Sequence, residues 1–146
     1  MIVITISTAE ELKSLQGQVL LFNYVLRANI DLGGIDWIPI ANLLGEFDGN
    51  GFTISNFKLT TTSNDYVGIF GKSCGVIKNL GVENFIINVD NSSCVYFGGL
   101  VGYNDGTITN SYATGDVNLT STSVIYGAYA GGLVGYSTIS TISYFI

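Results

Sequence analysis

Apolar and polar residues alternate along most of the chain in short runs that suit strands rather than helices. Met1 to Ser7 alternates as a first strand. VLLFNYVL and ANIDL follow as two more between Val19 and Leu32, Gly33 and Gly34 break the run, and Asp36-Trp37-Ile38-Pro39-Ile40 resumes it. Pro39 suits a strand end or edge, where a missing N–H is tolerated. Asp-Gly and Asn-Gly pairs in Asp48-Gly49-Asn50-Gly51 mark a tight turn. One helical signal stands out. Ser7 and Thr8 lie three residues before Glu10 and Glu11, giving two overlapping capping boxes. They predict a short helix through Leu12 and Leu15 that ends at Gly17. Its expected task is to cover the open end of a stack of strands.

A repeat overlies this pattern. The tetrad Gly99-Leu100-Val101-Gly102 returns as Gly132-Leu133-Val134-Gly135 and, with altered apolar residues, as Gly68-Ile69-Phe70-Gly71, at intervals of 31 and 33 residues. Aligning Phe47, Phe70 and Val101 places Ile54, Ile77 and Ile108 at one position, and Asn56, Asn79 and Asn110 two residues on. A fourth copy is degenerate, with Thr141 at the apolar position and Ile142 one place late. Self-similarity at about 20–50 residues marks a solenoid, propeller or array. The expected architecture is all-β: a parallel β-helix of three short strands per coil, with an inward Ile ladder and an Asn ladder at a bend. Propeller blades need about 40 residues, and a sandwich leaves the Asn register unexplained. Extra corner residues are expected at Asn88–Val95 and Thr120–Tyr126.

The chain of 146 residues reads as one domain, 1–146. Residues 1–18 form the first strand and capping helix, 19–62 the first coils, and 63–146 the repeats. Hydrophobic residues are 47% and charged ones 11%, with a mean hydropathy of +0.44, which excludes a charge-rich disordered tail. A net charge of −6 with five cations, none beyond Lys78, argues against nucleic acid and anionic membranes as partners. The absence of His removes the commonest general base and metal ligand. Cys74 and Cys94 are either one disulfide or two free thiols, and the free-thiol reading is preferred. No secretion signal precedes Glu10, and no run of about 20 apolar residues predicts a membrane-spanning helix.

The stretch GGLVGYNDGTITNSYATG, Gly98 to Gly115, resembles the GLUG motif of bacterial surface proteins. IDL, WIPI and FDGNGFTISNFKL upstream resemble the first coils that precede such repeats in large adhesin-like proteins. The likeness covers roughly residues 20–136. It implies a right-handed parallel β-helix on an extracellular or cell-surface protein, and it carries no catalytic residues with it.

Candidate chemistry is sparse. Polysaccharide cleavage on a β-helix needs clustered carboxylates, whereas the acids here are scattered. Glu46 and Asp48 flank Phe47 and are the weak candidates, with a solvated pair beside a turn as the plainer expectation. Asp48-Gly49-Asn50-Gly51 is similar to part of a Ca²⁺ loop but lacks the downstream acid, position 59 being Leu. Tyr96, Tyr103, Tyr112, Tyr126, Tyr129, Tyr136 and Tyr144 crowd the C-terminal half. They read mainly as corner fillers and secondarily as a carbohydrate-stacking platform. Thr60-Thr61-Thr62 and the run from Ser137 to Thr141 lack the strict spacing of an ice-binding array. Asn91-Ser92-Ser93 and Asn118-Leu119-Thr120 are formal glycosylation sequons.

The expectation is a non-enzymatic structural or adhesion module with no cofactor and no metal. Its expected partners are protein, by self-association or as the remainder of a longer chain, or a surface glycan. Two alternatives remain: a fibre subunit stacking through an uncapped end at Tyr144-Phe145-Ile146, and a polysaccharide-binding or polysaccharide-degrading protein.

Overall fold

A computed structural model describes residues 2–61, 66–89, 96–119, 129–138 and 141–143. The first pass of the chain holds β1 (Val3–Ile6), α1 (Ala9–Lys13) and β2 (Val19–Leu20), and the second holds β3 (Asn23–Leu26), β4 (Ile30–Asp36) and β5 (Asn42–Leu43). The third comprises β6 (Glu46–Asp48), β7 (Thr53–Thr61), β8 (Tyr66–Val67) and β9 (Phe70–Ser73). The fourth comprises β10 (Val76–Lys78), β11 (Gly81–Val89), β12 (Tyr96–Gly98) and β13 (Val101–Asn104). A fifth follows with β14 (Thr107–Thr109), β15 (Tyr112–Leu119), β16 (Tyr129–Gly131) and β17 (Val134–Ser137), and β18 (Thr141–Ser143) begins another.

Strands at the same place in successive passes pair in parallel, giving four sheets: β1-β3-β6-β10-β14-β18, β4-β7-β11-β15, β8-β12-β16 and β2-β5-β9-β13-β17. Sheet neighbours are one pass apart, so every rung brings equivalent residues together. The fold is all-β with parallel sheets. Among the described residues, no helix is long and apolar enough to cross a membrane.

Residues of one register line fill the core. In the first sheet Tyr24, Phe47, Ile77 and Ile108 stand in line, with the Tyr24 and Phe47 rings stacked at 6.3 Å. In the second, Ile30, Ile54 and Val82 align, and Phe57 stacks on Phe85 at 5.7 Å. Phe47 meets Phe70 edge-on at 5.2 Å, joining the first sheet to the fourth. Phe47, Phe57, Phe70, Ile77 and Phe85 are all buried. Each such ring contributes about 2–3 kcal/mol of burial.

The predicted single Ile ladder is corrected here. Ile77 pairs with Ile108 in the first sheet, but Ile54 stands in the second, between Ile30 and Val82, and Phe47 takes its place beside Ile77. The cause is the starting point. The repeat alignment matches Phe47 to Phe70 and Val101, which pair in the fourth sheet, but Phe47 itself lies in the first sheet beside Ile77, so seven residues counted from it end one sheet further on. The segment α1 is also shorter than the capping boxes imply. Thr8 Oγ1 accepts from the Glu11 N–H at 3.2 Å and the Ser7 N–H donates to Glu11 Oε1 at 3.1 Å, but Ser14 already caps the helix and Leu15 lies beyond it. Leu12 is fully buried.

Candidate functional site

The repeated tetrads build a tight arc that joins the third sheet to the fourth. Val101 pairs with Phe70 and Val134, and Leu100 and Val101 are buried. The glycines answer to close backbone approach. A Cβ on Gly102 would stand 2.6 Å from Val67 N and 2.7 Å from Tyr96 O, and one on Gly135 would stand 2.6 Å from Phe97 N. Gly71 faces Tyr66 O at 2.9 Å, Gly68 faces Phe70 O at 2.8 Å, and Gly99 lies against the Phe85 ring. Gly132 meets nothing within 4 Å, so that copy keeps its glycine without a steric demand.

Because the legs of the arc lie so close, the tyrosines at its base converge. Tyr66 and Tyr96 pair across the third sheet, and Lys72, Tyr103 and Tyr136 line up across the fourth. Ring centroids are 5.4 Å apart for Tyr66–Tyr96, 5.2 Å for Tyr66–Tyr103 and 5.5 Å for Tyr96–Tyr103. Tyr136 joins at 5.4 Å from Tyr96 and 5.3 Å from Tyr103. The cluster is open to solvent: Tyr66 is 41% exposed and Tyr136 39%. Lys72 Nζ stands 5.8 Å from the centre of the Tyr103 ring, within cation–π reach.

Sequence reasoning included Tyr96, Tyr103 and Tyr136 but missed Tyr66 and Lys72. The usable signal was the tetrad interval itself, which carries Tyr136 back to Tyr103 over 33 residues and Tyr103 back to Lys72 over 31, whereas Tyr66 stands one residue off that count from Tyr96. Tyr112 lies apart. Its ring covers Gly81, and its hydroxyl donates to Glu83 Oε2 at 2.7 Å, which holds the phenol above its ordinary pKa. Tyr126 and Tyr144 lie outside the described residues, as does Cys94, while Cys74 is an exposed free thiol.

The asparagines form two columns, not one. Asn110 Nδ2 donates to Asn79 Oδ1 at 2.8 Å, and Asn79 Nδ2 donates to Asp48 Oδ1 at 3.1 Å. Asn56 belongs to another column, between Asn84, whose amide donates to it, and Asp31, which accepts at 2.9 Å. All four asparagines have positive φ, from 46° to 61°, a region that Asn enters more readily than other side-chained residues. Asn84 was missed because the bulge inside β7 and β11 is announced by no Gly or Pro, and Asp31 because nothing in the sequence shows that the Gly33-Gly34 break in β4 stacks on that bulge. The Asn56 amide and then the Gly33 N–H hold the Asp31 carboxyl below its usual range.

Glu46 and Asp48 flank the buried Phe47 on β6, and each is engaged. Glu46 pairs with Lys78 at 3.0 Å, a contact that raises the lysine pKa, and Asp48 Oδ1 accepts from the Asn50 N–H at 2.8 Å as well as from Asn79. A groove of about 600 Å³ runs past Glu46 and Asp105 over Gly45, Gly75 and Gly106. Asp105 accepts from the Thr138 hydroxyl. Among the described residues, no group of three or more acids or Cys could hold a metal ion.

Residues 93–118 match the family described as the GLUG motif. A protein of Evansella cellulosilytica, provisionally named a Gly-rich membrane protein, is 34% identical over 91 residues, covering 58% of this chain and 10% of that protein. Halomucin of Haloquadratum walsbyi is 35% identical over 117 residues, covering 75% of this chain and 1% of its own length. The chain thus spans a tenth or less of either relative. A solved structure from Bacteroides ovatus, provisionally named an immunoglobulin A1 protease, aligns over 97% of this chain and 74% of its own, with a TM-score of 0.45 and 16% identity. The resemblance read from Gly98 to Gly115 is shown by these matches: the chain carries the GLUG motif.

Proposed function

We propose that the chain is a non-enzymatic structural and adhesion module of an extracellular or cell-surface protein. In this reading its four parallel sheets wind as a single right-handed β-helical domain, with α1 covering the first rung. The observation that carries it is the register: each sheet is built from successive passes, and the repeat places its apolar residues in one continuous core. Such stacking makes a stiff rod whose length grows with repeat number, which suits a spacer or a display surface. The membrane-protein and halomucin names of the relatives support the location.

The acids support a role without catalysis. Glu46 and Asp48 are held by Lys78 and by the turn they border, so neither is placed as a free acid or base. An antibody raised against this chain, applied to intact source cells, is expected to label their surface or the surrounding medium. Labelling that needs permeabilised cells would overturn the location. Release of sugar or peptide from a substrate panel, lost in Glu46→Gln or Asp48→Asn, would overturn the absence of catalysis.

A further inference from the structure

We infer that Tyr66, Tyr96, Tyr103 and Tyr136, with Lys72 beside them, form a binding surface for a neutral polysaccharide chain. The inference rests on the non-enzymatic reading only in holding that the glycan is bound and not cleaved. Four rings in mutual contact at 5.2–5.5 Å make one continuous aromatic patch, and its outer members are exposed. A phenol offers an apolar face and a polar edge. A pyranose ring has the matching chemistry, a C–H face bordered by hydroxyls. The rings already pack on one another, so little side-chain freedom remains to be lost when a ligand docks.

Charge selects the class of glycan. The chain carries a net charge of −6, and its five cations are scattered. A long polyanion is therefore repelled. Lys72, among the described residues, has no carboxylate partner, and its ammonium lies over the Tyr103 ring, where it can donate to a sugar hydroxyl. The patch also runs across three successive passes, from Tyr66 through Tyr96 and Tyr103 to Tyr136, so it offers consecutive contacts to an extended chain rather than a pocket for one sugar.

Affinity electrophoresis tests this in native gels containing hydroxyethyl cellulose, galactomannan or glycol chitin, with polygalacturonate as the acidic control. Retardation is expected in at least one neutral gel and not in polygalacturonate. Tyr66→Ala and Tyr136→Ala should each weaken the apparent Kd about fivefold. The corresponding Tyr→Phe variants, which keep the ring, should stay within about twofold, and circular dichroism should show all four variants folded. Retardation by none of the neutral polymers, equal retardation by polygalacturonate, or full binding by the two Ala variants combined would overturn the inference. Self-association that depends on Tyr136, without retardation by any glycan, would overturn it in favour of an interface between copies. None of these outcomes bears on surface labelling, whereas cleavage of a probe would count against the non-enzymatic reading instead.

Discussion

The same corner of the chain is closed in two opposite ways. Between β4 and β5 it is filled: Trp37 is buried there, its indole N–H donates to Ile69 O at 3.0 Å, and Ile40 bridges to Phe70. One pass later and onwards it is collapsed, the glycines of the tetrads letting the strands before and after the arc approach to backbone contact. The bulky solution sits on the second pass of the chain and the glycine solution on the passes stacked above it. The difference teaches that a repeat corner can be sealed by adding volume or by removing it. Only the second solution leaves the base of the arc narrow enough for tyrosines from two sheets to touch.

The largest expected effect breaks the filled corner. Trp37→Ala should cost about 4 kcal/mol, because it removes a buried ring and one of the two donors to the Ile69 carbonyl, which keeps only the Ile40 N–H. Urea denaturation followed by circular dichroism would show it, and a loss under about 1 kcal/mol would mean that the corner does not depend on the ring. Gly102→Ala should come next, at about 3 kcal/mol, since the Cβ meets backbone atoms and no flexible side chain can move aside. Gly132→Ala is the matched control and should stay within about 0.5 kcal/mol.

Smaller effects test the columns that run beside both corners. Asn79→Ala loses the amide contacts to Asp48 and Asn110 and puts a less suitable residue at φ 55°, so thermal melting should report a cost of about 1.5 kcal/mol. Asn79→Gly should recover part of that loss by relieving the backbone. The smallest effect is one of pH. The folded state lowers the Asp31 pKa, so its contribution is present above the ordinary carboxylate value of about 3.9 and fades as pH falls through the lower folded value. The fall in Tm from pH 5 to pH 2.5 should accordingly be smaller in Asp31→Asn than in the parent chain. An identical fall in both would remove Asp31 from the account.

Much of this was legible in the residues. The tetrads, the capping boxes at Ser7 and Thr8, and the Asn-rich bends announce themselves through short-range chemistry: steric need for glycine, orphan N–H groups at a helix start, and positive φ. Ile54 shows where legibility stopped. An apolar residue beside a bend reads alike in any sheet, and only pairing tells Ile54 from Phe47 as the neighbour of Ile77. Tyr66 and Lys72 were missed for a related reason, since their significance lies in what stands across the arc and not in their own surroundings.

The sequence by itself determined that the chain repeats, that its passes are strands joined by glycine and asparagine corners, and that it holds no His and only five cations. Tertiary structure alone decided which residues share a rung, that two asparagine columns exist where one was expected, and that four tyrosines meet. The physical reason is the period itself. Side-chain identity specifies local conformation, but passes of unequal length hide which residue faces which, and Phe47, apolar like Phe70, is the partner of Ile77 instead.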